Sequence, residues 1–235
     1  MVDAAALRAR LDSVRSRIER AASRVGRDSS SIRLVAVAKT FGVEHVRIAA
    51  EAGQIDFGEN RVQEAIDKMD GTGDLPIRWH LVGHLQSNKA RKAASRFDVI
   101  HSLHAADLGD ALELAAGAAD HPIELLAQVD LAGEPTKHGA REEQLAGMFE
   151  AARGWQTARL VGLMVLPPAV DDTERARPYF RALKSVRDRL LARGVDEAML
   201  TELSMGMSHD FEVAVEEGAT LVRVGTAIFG GRANV

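Results

Sequence analysis

Leu7, Leu11, Val14, Ile18, Ala22 and Val25 recur at three- and four-residue spacing, with arginine and glutamate between them. That spacing puts them on one face of a helix. Gly26 and the polar cluster Asp28–Ser31 end it. Next comes Leu34-Val35-Ala36-Val37-Ala38, a short continuous apolar run that stops at Lys39. Such a run suits a strand buried on both faces, as a parallel sheet requires. The pattern predicts further strands at 54–57, 77–82, 98–103, 123–130, 159–166, 199–204 and 221–225. Helical patterns separate them at 43–52, 60–70, 86–95, 105–117, 140–152, 172–193 and 208–217. Parallel neighbours need crossovers, and helices usually supply them. Eight strands, each preceded by a helix, within 235 residues predict an α/β chain. The expected fold is a single (β/α)8 TIM-type barrel with an extra N-terminal helix, a fold of typically about 250 residues. An open doubly wound sheet competes with it. No Gly-x-Gly-x-x-Gly follows the first strand, which favours the barrel. No linker or repeat interrupts 1–235, which is therefore expected to form one domain.

Composition narrows the class. Hydrophobic residues make up 46% and charged residues 27%, which disfavours disorder. Aromatics are only 4%, so alanine, leucine and valine must fill the core. No apolar run approaches the roughly 20 residues needed to span a bilayer, and the first residues lack a secretory pattern. The absence of cysteine excludes thiolate nucleophiles and fits a reducing compartment. A net charge of −4 argues against general nucleic-acid binding. The expectation is a soluble, cytoplasmic protein with no membrane or nucleic-acid partner, and a monomer.

In a barrel the chemistry sits at the C-terminal ends of the strands. Unusual residues collect there: Lys39-Thr40, Gly58-Glu59-Asn60, Gly83 to Lys89, Pro135 to Gly139, Met164 to Pro168, Ser204 to Asp210, and Arg223 to Thr226. A lysine ending an apolar strand is partly desolvated, which favours the neutral amine that attacks aldehydes. The alternative is a lysine capping the strand through a salt bridge. Ser204-Met-Gly-Met-Ser208 reads as a loop opening a helix, and Gly225-Thr226 as a second loop with free donors. Hydroxyls, glycine and backbone N–H groups after strands seven and eight suit a phosphate. His80, His84, His101, His104, His121, His138 and His209 are scattered and read as surface or core residues, with no metal site expected. Lys89, Arg91, Lys92 and Arg96 read as a solvated helix face.

The motifs Val35 to Thr40, Phe57-Gly58-Glu59-Asn60, Trp79-His80 with Gly83 to Lys89, Gly162-Leu163-Met164, Leu203 to Ser208 and Val222 to Gly230 together resemble the pyridoxal-phosphate homeostasis family. Its members are also called proline synthetase co-transcribed homologues. The resemblance covers nearly the whole chain and implies a barrel like the N-terminal domain of alanine racemase, filling 1–235 and binding pyridoxal 5′-phosphate. Carried over by motif, Lys39 would hold the cofactor as a Schiff base, and Asn60 would lie near the ring. Ser208, Gly225 and Thr226 would hold the phosphate, with Ser204 nearby, and Arg223 would face the pyridine nitrogen. Ala38 and Phe41 stand where the family pattern carries a polar serine and often a lysine.

The resemblance also frames the question of catalysis. Racemisation needs a second acid/base opposite the lysine, which alanine racemases take from a tyrosine in another domain. Here the only tyrosine is Tyr179, in a predicted helix after strand six, and 235 residues are filled by the barrel. An arginine facing the ring nitrogen would weaken the electron sink. The expectation is a non-catalytic holder of pyridoxal phosphate in its storage, buffering or delivery, with PLP-dependent apo-enzymes as recipients. A racemase-type enzyme is the alternative. Lys137, beside His138, is a candidate amine through which the cofactor arrives or leaves, with His138 moving a proton.

Overall fold

The computed structural model describes residues 2–133, 138–169 and 171–231. Its eight strands are β1 (Arg33–Val37), β2 (Asp56–Glu59), β3 (Arg78–Leu81), β4 (Val99–Leu103), β5 (Ile123–Val129), β6 (Ala158–Val165), β7 (Glu202–Met207) and β8 (Leu221–Val224). They pair in chain order, all parallel, and β8 closes onto β1. The helices are α1 (Ala4–Arg24), α2 (Val43–Glu51), α3 (Val62–Asp70), α4 (Ala90–Ala94), α5 (Ala106–Ala119), α6 (Glu142–Ala152), α7 (Arg177–Ala192), α8 (Phe211–Glu216) and α9 (Thr226–Phe229). The chain folds as the predicted (β/α)8 barrel with an added helix at its start.

Alternation along each strand divides the core in two. Leu34 and Ala36 pack outward beneath the helices, in the large cluster that also buries Leu7, Leu11, Val14 and Ile18 of α1. Val35 and Val37 belong to a separate cluster with Val82, Val99, Leu126, Met164 and Leu221, enclosed by the barrel. Asp3 caps α1 by accepting from the Ala6 N–H at 3.0 Å, and burial of the α1 face fixes the helix against α2, α8 and α9.

Two strands differ from expectation. β2 starts two residues later than predicted and runs into Gly58-Glu59, because the Glu59 carboxylate is buried against Lys68 instead of opening a loop. β7 spans Glu202–Met207 instead of 199–204, and Glu197–Met199 forms a 3₁₀ turn. Its polar and glycine residues resemble a loop in sequence, yet Ser204 finds buried partners within the barrel. Gly206 adopts φ +90°, where a side chain would be strained and its Cβ would lie 2.5 Å from the Ala214 Cβ. The register shifts between Ser204 and Met207 at this point, so α8 begins at Phe211 and not at 208. No helix among the described residues is long and apolar enough to cross a membrane.

Candidate functional site

A cavity of about 580 Å³ opens at the C-terminal mouth of the barrel. Lys39, Asn60, Ser208, Arg223, Gly225 and Thr226 all line it, together with Thr40, Phe41, Gly83, His84, Gln128, His138 and Met207. Six predicted site residues from four separate segments therefore share one space. Ser204 does not. It is fully buried in β7, bonded to His101 and Arg223, which corrects its expected place in the loop beside Ser208. Lys137 lies outside the described residues, while its neighbour His138 lines the cavity.

Lys39 stands just beyond β1, half-buried in the cavity wall. The strand end beneath it is pinned by α3. Lys68 Nζ donates to the carbonyl of Ala38 at 2.7 Å and to Glu59 Oε1 at 2.6 Å. One buried ammonium thus ties the residue before Lys39 to the residue before Asn60. Thr40, next in the chain, has φ +69°. Left-handed backbone costs a β-branched residue about 1–2 kcal/mol, against about 0.5–1 kcal/mol of extra chain entropy lost by glycine. Thr40→Gly is therefore expected to raise the melting temperature by about 1–3 °C. A lower melting temperature would mean that the threonine side chain contributes more through packing than its backbone strain costs.

Beside β1, the neighbouring strand β8 carries Arg223, only 4% exposed. Burial pulls its pKa down to about 10, so the guanidinium remains a cation at neutral pH. It donates to Ser204 Oγ at 2.5 Å and to the Val165 carbonyl at 2.9 Å. Beside it, the Ser208 hydroxyl oxygen accepts from the N–H groups of Gly225 and Ala227 at 3.0 and 3.3 Å. Two backbone donors converging on one oxygen form an arrangement that a phosphate oxygen can also use. At Gly225 a Cβ would lie a tight 3.0 Å from the Val37 carbonyl oxygen, so glycine eases the approach of β8 to β1. Amine, guanidinium, hydroxyls and convergent N–H groups thus fit a phosphorylated aldehyde carried on an aromatic nitrogen ring.

The histidines are more ordered than the sequence reading allowed. His84 stacks on His138 with ring centroids 3.9 Å apart and lies 5.1 Å from His104 at the cavity mouth. Burial and the two neighbouring rings push the His84 pKa below its ordinary value. His80 and His101 lie deeper, fully buried and bonded to each other at 2.9 Å. No group among the described residues is arranged to hold a metal ion. Gln128, His80, His101 and Lys68 were absent from the predicted site. The available signal was a polar residue inside an otherwise apolar strand or helix face.

The alanine racemase N-terminal domain family matches residues 9–233. A pyridoxal phosphate homeostasis protein of Aquifex aeolicus is 41% identical over 223 residues, covering 95% of this chain and 97% of the relative. The chain belongs to the pyridoxal phosphate homeostasis protein family. Among similar solved structures is PipY of Synechococcus elongatus with PLP bound, 39% identical, with a TM-score of 0.85. That likeness covers 95% of this chain and all of PipY. Clostridium difficile alanine racemase shares the fold alone, at 14% identity and a TM-score of 0.74, over 98% of this chain and 57% of the racemase. In this member of the homeostasis-protein family, Lys39, Asn60, Ser208, Arg223, Gly225 and Thr226 line the cavity at the barrel mouth, and Ser204 does not.

Proposed function

We propose that this chain binds pyridoxal 5′-phosphate in one barrel domain and serves its intracellular homeostasis by storage, buffering or delivery. The observation that carries this reading is the convergence of Lys39, Ser208, Gly225, Thr226 and Arg223 on one cavity. The solved PLP complex of the relative PipY supports it. Pyridoxal phosphate supplies an electrophilic aldehyde and, when its ring nitrogen is protonated, an electron sink. Lys39 supplies the amine for covalent capture, and the pinned strand end beneath it holds that amine at the cavity. Ser208, Gly225 and Thr226 bind the phosphate, and Asn60 borders the ring. Arg223 stays charged and disfavours a proton on the ring nitrogen, which weakens carbanion chemistry.

Retention without strong catalysis follows from the same residues. Among the described residues no tyrosine lines the cavity, and Tyr179 sits on α7. A free reactive aldehyde modifies amines throughout a cell, so reversible capture at Lys39 limits its concentration. Release to a competing amine, including that of a PLP-dependent apo-enzyme, completes delivery. Borohydride treatment in the presence of pyridoxal phosphate, followed by peptide mapping, is expected to place the pyridoxyl group on Lys39. Label found only on other lysines would overturn the assignment. Incubation with L-alanine is expected to leave its optical activity unchanged, whereas racemisation abolished by Lys39→Ala would establish an enzyme.

A further inference from the structure

A continuous line of hydrogen bonds crosses the barrel interior behind Arg223. Asp56 Oδ1 lies 2.8 Å from His80 Nε2, His80 Nδ1 is 2.9 Å from His101 Nε2, and His101 Nδ1 is 2.8 Å from Ser204 Oγ. Arg223 donates to that same Ser204 oxygen at 2.5 Å. The members come from β2, β3, β4, β7 and β8. His80, His101 and Ser204 are wholly buried. Asp56 is the first residue of β2, at the end of the barrel away from the cavity, whereas Arg223 lines the cavity. Neither Asp56 nor either of these histidines lines the cavity.

We propose that Asp56, His80, His101 and Ser204 are positioning residues that anchor the Arg223 guanidinium, in place and in charge, to a carboxylate at the far end of the barrel. The direction of the chain is forced by its ends. A guanidinium can only donate, so Ser204 Oγ accepts from Arg223 and passes its own proton toward His101 Nδ1. A carboxylate can only accept, so His80 carries its proton on Nε2. His101 must then donate from Nε2 to His80 Nδ1. Both imidazoles are neutral Nε2–H tautomers, and every link is polarised the same way.

The charges around the line agree with this assignment. Burial disfavours the Asp56 carboxylate, but the bond from His80 and the nearby Arg33 and Arg78 outweigh it, and the pKa falls below the ordinary value. Arg33 is itself paired with Glu202 at 2.7 Å and Arg78 with Glu124; the buried Asp210 is the carboxylate whose charge acts on Arg223 through space, so Asp56 reaches Arg223 only through the hydrogen-bonded line. Burial pushes both histidines below their ordinary pKa, most strongly His101, which also lies near His80 and Arg223.

This inference rests on the pyridoxal-phosphate reading only where Arg223 meets a ligand, and its test has two independent parts. In the chain without added cofactor, long-range 1H–15N spectra are expected to show His80 and His101 protonated on Nε2 alone from pH 8 to 6. An Nδ1–H tautomer or a titrating ring at either position would overturn the relay, whatever the chain binds. In the loaded chain, Asp56→Asn keeps an acceptor for His80 and removes only the charge. It is expected to weaken pyridoxal phosphate binding about tenfold and to shift the pH midpoint of the visible absorption band, while borohydride still labels Lys39. Ser204→Ala, which cuts the line beside Arg223, should shift the band likewise. Affinities and pH titrations superimposable on those of the unsubstituted chain in both variants would overturn the proposal. Failure of the unsubstituted chain to label at Lys39 would sink the functional reading, with the tautomers still deciding the relay.

Discussion

Lys68→Met is expected to destabilise the fold by about 3–5 kcal/mol, a large share of the roughly 5–15 kcal/mol that holds a domain folded. The Lys68 and Glu59 side chains are 9% and 0% exposed, with Nζ and Oε1 2.6 Å apart. Taking both charges out of water costs several kcal/mol each, offset only while they remain paired. The margin at this site is narrow, since Glu59 Oε2 has no hydrogen-bond partner among the described residues. Burial already pushes the Glu59 carboxyl above its ordinary pKa, against the pull of Lys68. Without the ammonium, the carboxylate must either stay buried and unpaired or take up a proton. The same substitution frees the Ala38 carbonyl, so weaker capture at Lys39 should accompany the lost stability. Urea unfolding of Lys68→Met and of Glu59→Met/Lys68→Met separates charge from packing. The double variant should recover about half the loss or more, because an apolar pair of similar volume removes the uncompensated charge. A single-variant loss below about 1 kcal/mol would show that the pair behaves as if solvated.

Lys68 also marks the limit of what the chain discloses before it folds. The eightfold alternation was legible because a strand buried on both faces is an unbroken apolar run and a crossover helix has its own period. The cavity was legible for a related reason: in a parallel barrel, polar residues just past each apolar run gather at one mouth. Lys39, Asn60, Ser208 and Thr226 obeyed that rule, with Gly225 beside Thr226, whereas Arg223 reaches the cavity from inside β8. For polar groups inside the runs, the break in an apolar stretch was legible but the partner was not. His101 and Ser204 are 103 positions apart, and Arg223 reaches the Val165 carbonyl across 58. Nothing local distinguishes a histidine meant for such a partner from one facing solvent. The same blindness displaced β7, since Ser204-Met-Gly-Met has loop composition until closure of the barrel supplies Ser204 with partners. It also shifted β2, where Glu59 looked like a loop acid although its counter-ion stands nine residues on, across the turn into α3.

Those interior polar groups contribute to how the fold responds to acid, alongside His45 and His84, whose pKa values burial also lowers. Between about pH 7 and 5.5, stability is expected to fall as pH falls, at up to about 2.7 kcal/mol per pH unit if both buried histidines contribute fully. Each has a folded pKa below its unfolded value of about 6.5. Above that value both states are neutral, and the histidines impose no pH dependence. Below it the unfolded chain takes up protons that the folded chain refuses, so acid favours unfolding until the folded pKa is reached. Glu59 acts in the opposite direction, because its raised pKa lets the folded state accept a proton earlier as pH falls, but it offsets at most one proton. The Asp56 carboxylate adds its own loss only below about pH 4, where the unfolded chain takes up a proton that the folded carboxylate, with its depressed pKa, still refuses. Urea midpoints at pH 7.5, 6.5 and 5.5 measure the slope, which His101→Phe should reduce if that variant folds. A stability that stays level or rises down to pH 5.5 would mean that the imidazoles accept protons in the folded barrel. The anchor between Asp56 and Arg223 would then carry a charge in its middle, and neither histidine could pass a bond from one end to the other.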